Sequence, residues 1–318
     1  MKNIDVICVV GPTASGKSEL AVDLAKKYNG EIISADSRQI YRGMNIGSGK
    51  VEGKWNRKVY VYKSIPHYLI DEASPRVQYS AARFQKLARA TIADIIKRGK
   101  MPIICGGTGH WIDAVVFEND FPTVKPDSSI RQMLSHLTTQ EMFEMLKKLD
   151  PRRAMEIDKN NPHRLIRALE IVITTGKPIP KLSGKLEQSI NERQTFNDYK
   201  ILWLGLNPSM ETLEKNIAKR LKVRLKLGMI KEVTQLHKPS KQNGEGLSWK
   251  KLEGFGLEYK YCALFIQNKI PMEDLEKGVL IASRQYAKRQ LTWWKRNPAI
   301  NWAENGKKLL TLAKKQLF

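Results

Sequence analysis

Residues 11–18 read Gly-Pro-Thr-Ala-Ser-Gly-Lys-Ser, a complete G-x-x-x-x-G-K-S that follows the apolar run IDVICVV and opens the amphipathic pattern SELAVDLAKKY. Few folds accept this sequence in this context. A strand must end, a glycine-rich turn must aim its backbone N–H groups inward, and a helix must begin within eight residues. The glycines free the turn, Lys17 adds a point charge, the Ser18 hydroxyl can hold Mg²⁺, and the helix N-terminus adds its dipole. The segment therefore suits a chain of phosphates.

The apolar runs IDVICVV, EIISAD and PIICGG alternate with the helical patterns SELAVDLAKKY and FQKLARATIADIIKRG, and KILWLGL (Lys200–Leu206) resumes that rhythm after a long interruption. Runs that are continuous, not alternating, belong to parallel strands covered on both faces. The reading is an α/β fold with a P-loop NTPase-like parallel sheet core, formed by residues 1–118 and 197–318. Between them, residues 119–196 repeat Leu and Met at helical spacing in SIRQMLSHLTTQEMFEMLKKL and HRLIRALEIVITTG, with Pro151, Pro162, Pro178 and Pro180 as breakers. That pattern predicts a helical insertion domain. The Gly, Ser and Lys of Lys238–Lys251 predict a mobile loop.

The chain carries 55 Lys and Arg against 32 Asp and Glu. Residues 1–110 hold 18 basic and 9 acidic side chains, residues 111–200 hold 14 and 13, and residues 201–318 hold 23 and 10. Two basic blocks flanking a balanced one predict a polyanionic partner, and nucleic acid fits best. No apolar run approaches the ~20 residues of a membrane span, and the start MKNIDVICVVGPT has no signal-peptide cleavage pattern, so a cytoplasmic protein without membrane association is expected. Cys8, Cys105 and Cys262 are far apart and form no Cys-x-x-Cys pair, which excludes a zinc site or a disulfide framework. His67 and His163 have no second ligand at metal-binding spacing.

A P-loop motor usually adds a second apolar strand that ends in an acid. PIICGG and ILWLGL end without one, and only Asp36 of EIISAD and Asp71 of HYLID stand at such a position. The loop then suits a diphosphate whose departure is the chemistry. A P-loop small-molecule kinase and a nucleic-acid-binding ATPase stay open as alternatives. After the second strand, SADSRQIYRG gathers an acid, an amide and two arginines where open sheets bind ligands, with capping as the other use for Asp36. Gly106-Gly107-Thr108-Gly109 allows close backbone approach and offers the Thr108 hydroxyl to the same crevice. In RQYAKRQLTWWKR, read as a helix, Arg284, Lys288 and Thr292 share a face with Gln285 and Arg289 beside it. Such mixtures of cations and aromatics grip single-stranded nucleic acid.

GPTASGKS, ISADSRQIYRGMNIG, PHYLID, the FQKLA helix, PIICGGTG, DPRRAMEID with NNPHRLIRALE, and RQYAKRQLTWWKR occur in the order found in tRNA dimethylallyltransferases, and the resemblance runs from residue 6 to 297. Departures are limited: DSRQIYRGMNIGSGKV stands where the family commonly has DSMQVYRGMDIGTAKP, and GGTGHW where it has GGTGLY, which puts His110 and Trp111 at the prenyl pocket. The resemblance implies transfer of a dimethylallyl group from dimethylallyl diphosphate to N6 of the adenosine next to the anticodon (adenosine 37) of tRNA, releasing diphosphate. It further implies Mg²⁺ as cofactor, a monomer, and the anticodon stem-loop as partner. In this chain Gly11, Pro12, Thr13, Ala14, Ser15, Gly16, Lys17 and Ser18 would bind the diphosphate, with Ser18 on Mg²⁺. Asp36 would accept a hydrogen bond or proton from the N6 amine, Thr108 would stabilise the bridging oxygen, and Arg220 or Arg224 would reach the same diphosphate. Ser37, Arg38 and Gln39 would contact the tRNA together with His163, Arg164, Arg167, Arg284, Gln285, Lys288 and Arg289.

Overall fold

In the structure, a computed structural model describing residues 4–117, 124–179, 195–240 and 244–317, the apolar runs become strands of one sheet. These are β1 (Val6–Val10), β2 (Gly30–Ser34), β3 (Lys54–Asn56), β4 (Val59–Tyr62), β5 (Ile65–Tyr68), β6 (Met101–Cys105), β7 (Ile201–Leu206) and β8 (Asn301–Ala303). Their spatial order is β3-β4-β5-β2-β6-β1-β7-β8. The six from β5 to β8 in that order run parallel, while β4 is antiparallel to both its neighbours, β3 and β5. Two units result: Met1–Glu118 with Arg193–Phe318, and Asn119–Glu192. Phe117 and Thr195, joined by an antiparallel bridge, both belong to the first.

Successive side chains of a strand face opposite sides of a sheet, and the core divides accordingly. Ile7, Val9, Leu202, Leu204 and Leu206 share a buried cluster with Leu20 and Leu24 of α1 (Lys17–Lys27) and Leu309 and Ala313 of α13 (Gly306–Leu317). Trp203 faces the other way, 6.2 Å from the ring of Phe117 and 6.2 Å from that of Trp294. On α2 (Ala81–Lys97) Phe84 stacks at 4.5 Å on Trp111 of α3 (Gly109–Val116). Ser80 caps α2 by accepting the Arg83 N–H, so the helix begins one turn before its first buried aromatic.

The second unit contains α4 (Ser128–Ser135), α5 (Thr139–Leu149), α6 (Pro151–Glu156) and α7 (Pro162–Thr175). Each start is specified locally. Asp127 caps α4, Thr138 and Glu141 form a capping box on α5, and Asn161 followed by Pro162 opens α7, which Gly176 ends in the left-handed region at φ 63°. Leu134, Met142, Leu146, Leu165 and Leu169 pack together inside. Pro178 precedes the end of the described segment, and Pro180 lies outside the described residues.

After β7 come α8 (Met210–Lys226), α9 (Met229–His237), α10 (Trp249–Gly254), α11 (Leu257–Ile266) and α12 (Met272–Trp294). The stretch expected to be a mobile loop is held in its described part, and 241–243 lie outside the described residues. Ser240 bonds Gly244 through the backbone at 2.8 Å, His237 stacks on Trp249 at 3.7 Å, and the His237 ring bonds the Leu247 carbonyl at 2.8 Å. The expectation rested on composition, which does not register a ring pair of this kind.

Within the second unit Glu170 is fully buried and meets the guanidinium groups of Arg131 and Arg167 and the Asp127 N–H. Although burial alone would raise its pKa, these three donors pull the carboxyl down to about 2. A depressed carboxyl stabilises the fold above its unfolded value and loses that contribution as pH falls through the folded one. Glu170→Gln should cost about 2 kcal/mol near neutral pH. The gap to the parent should close as pH falls from about 4.5 toward 2. Amide hydrogen exchange of α4 and α7 across that range measures it.

Candidate active site

The carboxyl ends of β1, β2 and β6 lie side by side, and the turn leaving each contributes to one cavity of about 290 Å³. Gly11 leaves β1 at φ 138°, and any side chain there would run into the Leu206 carbonyl of β7. Ala14 and Gly16 also take positive φ, at 61° and 93°, which curls the backbone around the space ahead of α1. Thr13, Ala14, Ser15, Gly16, Lys17 and Ser18 all line the cavity, while Gly11 and Pro12 form the root of the turn. The Ser15 hydroxyl is buried and has no partner among the described residues. Lys17 Nζ is folded back onto the Pro12 carbonyl, and burial, augmented by Arg220 and partly offset by Asp36, lowers its pKa to about 8.

Asp36, at the end of β2, caps its own turn, with Oδ1 accepting the N–H groups of Arg38 at 2.8 Å and Gln39 at 3.4 Å. It also lines the cavity, so the capping use and a use toward ligand coexist on one carboxylate. Thr108 follows β6, and its hydroxyl accepts the Ser37 N–H at 3.2 Å, fastening that turn to the one after β2. Gln39 is tied inward to Ser34 and to the Gly49 carbonyl, and Arg38 lies 5.6 Å above the Phe255 ring. Asp71, the other strand-end acid, is consumed by an ion pair with buried Lys50.

The two arginines of α8 differ. Arg220 donates to the Thr13 hydroxyl at 2.8 Å, and burial, then Arg224, bring its pKa down to about 10. Arg224 lines the cavity, but its guanidinium is buried against Glu258 and donates to the Gly47 carbonyl at 3.2 Å, and its packing leaves no room for a side chain at Gly49. Arg224 is thus a wall of the pocket held by a carboxylate, and Arg220 is the cation aimed at the P-loop. Glu232 of α9, which sequence reasoning missed, accepts the N–H groups of Asn45, Ile46 and Gly47 and the Tyr259 hydroxyl, and so fixes the loop that brings Ser48 and Gly49 to the cavity.

On α12 the exposed side carries Arg284, Gln285, Lys288 and Arg289, with Arg284 paired to Glu214 at 2.7 Å. The opposite side carries Tyr286, Gln290 and buried Trp294 at four-residue spacing, and the first two line the cavity. They too were missed. The signal was a tyrosine and an amide one turn apart on the face that carries the buried tryptophan. In the second unit His163 and Arg164 are exposed in the first turn of α7, and Arg167 pairs with Glu170 and donates to the Val124 carbonyl. The ion-pairing glutamate three residues on was overlooked.

The family model described as IPP transferase matches residues 39–297, and one described as isopentenyl transferase matches residues 4–72. A tRNA dimethylallyltransferase of Thermoanaerobacter sp. is 37% identical over 311 residues, covering 94% of this chain and 91% of that one. One from Bacillus mycoides is 36% identical, covering 93% and 89%. Among solved structures, a tRNA isopentenylpyrophosphate transferase from Staphylococcus epidermidis is 33% identical with a TM-score of 0.66, covering 98% of both chains. A eukaryotic dimethylallyltransferase acting on tRNA is 27% identical with a TM-score of 0.74, covering 98% of this chain and 77% of that one. With a P-loop, a strand-end aspartate and the GGTG turn meeting at one sheet edge, and with matches of this extent, the chain belongs to the tRNA dimethylallyltransferase (IPP transferase) family.

Proposed function

We propose that this protein transfers the dimethylallyl group of dimethylallyl diphosphate to N6 of the adenosine beside the anticodon in tRNA. The observation that carries the reading is the convergence of P-loop, Arg220 and Asp36 on one cavity, with Thr108 fastened to the turn that follows Asp36. Lys17, Arg220 and the strand-end acid Asp36 all line it. In the reaction the allylic C–O bond breaks with its electron pair going to the diphosphate, the N6 lone pair forms the new C–N bond, and one N6 proton leaves. Fixed donors around the departing oxygens lower the barrier. Here those are the P-loop N–H groups, Lys17, Arg220 and the Thr108 hydroxyl. The N6 lone pair is conjugated with the ring, so a carboxylate that accepts the proton as the bond forms is the group the nucleophile lacks, and Asp36 supplies it.

The cradle also fits a Mg²⁺ diphosphate, because Ser18 lines the cavity and the buried Ser15 hydroxyl has no partner among the described residues. Among the described residues no group of three His, Cys, Asp or Glu stands ready for an ion, so Ser18 and the diphosphate itself would hold it. Bound there, Mg²⁺ supplies positive charge to the leaving group.

Lys17 gives the reading a pH signature. Below about 8 it is charged and ready for an anion, whereas above that value it is neutral, and each diphosphate bound must bring a proton with it. Affinity for dimethylallyl diphosphate should therefore fall as pH rises above about 8, by roughly tenfold per unit until the bound lysine titrates. Titration calorimetry in buffers of different ionisation enthalpy should find proton uptake there. Binding that is flat to pH 9.5 would contradict the role of Lys17.

Asp36→Asn keeps shape and backbone caps while removing the base. Single-turnover transfer should drop about a hundredfold with both substrates still binding. A near-normal rate would return Asp36 to capping alone.

The exposed basic side of α12 suits a long phosphate backbone better than a single nucleotide. Labelled donor offered with AMP, an anticodon stem-loop and whole tRNA should give the highest kcat/KM with tRNA. Lys288→Ala combined with Arg289→Ala should weaken tRNA binding and flatten its salt dependence without touching donor affinity. AMP as the best acceptor would overturn the tRNA reading, and ATP turnover without tRNA would favour a kinase.

A further inference from the structure

Gln290 is buried, and both ends of its amide are occupied. Oε1 accepts the Thr13 N–H at 2.7 Å, and Nε2 donates to the Gly107 carbonyl at 2.9 Å. One bond goes to the turn after β1 and the other to the turn after β6, two neighbouring turns that both line the cavity. The fit is tight, since any side chain at Gly107 would occupy the place of this amide and any at Gly109 would strike the Trp293 ring. One helical turn earlier, Tyr286 lines the same cavity. The glycines of GGTG thus serve the approach of α12 as well as any ligand. An amide is the side chain for such a bridge, because it carries a donor and an acceptor on one plane and holds no charge that titrates.

We propose that Gln290 is a positioning residue that sets the spacing between the P-loop and Thr108, so that the diphosphate cradle and the group facing the bridging oxygen engage one donor molecule together. The proposal rests on the prenyl-transfer reading. The P-loop, Lys17 and Arg220 can bind a diphosphate without Gln290. What depends on the spacing is the Thr108 contact, which strengthens as charge gathers on the bridging oxygen. A loss confined to that moment lowers kcat and leaves ground-state binding alone.

The test is a double-mutant cycle between Gln290→Met, which keeps volume and removes both bonds, and Thr108→Ala. It is read in single-turnover transfer to an anticodon stem-loop, with donor KM, inorganic diphosphate affinity and Tm alongside. Gln290→Met should lower the rate about tenfold, with donor KM and diphosphate affinity within about twofold of the parent. In the Thr108→Ala background the same change should cost less than about twofold, because Gln290 acts through Thr108. Gln290→Asn, polar but too short to span both partners, should behave as Gln290→Met does and serves if the latter does not fold. Independent, multiplying losses would overturn the proposal, as would a loss appearing in donor KM or tracking Tm. A Thr108→Ala variant with parental rate would overturn it differently, by removing the role of Thr108 itself.

Discussion

Three adjacent parallel strands ending at one level leave little room for the turns that follow, and the site is built out of that crowding. The Ala35 N–H reaches the Cys105 carbonyl at 2.8 Å and the Gly106 N–H reaches the Val9 carbonyl at 3.2 Å, so the exits of β1, β2 and β6 are bonded to one another before any side chain is considered. Gly11 and Gly106 stand where a Cβ would meet the carbonyls of Leu206 and Ala35. Once these exits are locked, Asp36 and Thr108 have little freedom, and Ser37 donating to Thr108 removes much of what remains. Preorganised donors cost no rearrangement during reaction.

Gathering cations in a buried place is expensive, and the structure compensates group by group. Lys17, Arg220 and Arg224 all line one cavity, and the first two have lowered pKa values for the same reason, burial. Glu258 neutralises Arg224 directly, leaving two cations for a ligand. The negative charge of a diphosphate would offset the repulsion between Lys17 and Arg220, so the burial that lowers both pKa values also favours the ligand.

How much of this was readable in advance depended on whether the cause was local. The P-loop, the strands β1, β2, β6 and β7, and the helices α1 and α2 were legible because continuous apolar runs and a glycine-rich turn announce them. The β4–β5 hairpin was not, since its turn is Lys63-Ser64 with both residues at positive φ (48° and 66°), where glycine or asparagine is the usual sign. Gln290, Glu232 and Glu258 were invisible for another reason: each acts on residues more than 30 positions away, and no spacing rule encodes such a pairing. Arg224 and Arg167 add a further case, since each was chosen by its position along a helix and each also pairs with a buried glutamate.

The two outermost strands of the sheet, β3 and β8, are each three residues long. A strand from another molecule could gain only a few backbone bonds by lying alongside either, and at β3 it would meet exposed Lys54. A sheet eight strands wide, with the wholly apolar strands β6, β1 and β7 side by side, would with longer borders be a template for indefinite edge-to-edge growth. Trimming both borders to a single turn's worth of pairing keeps so sticky an interior from propagating into a polymer.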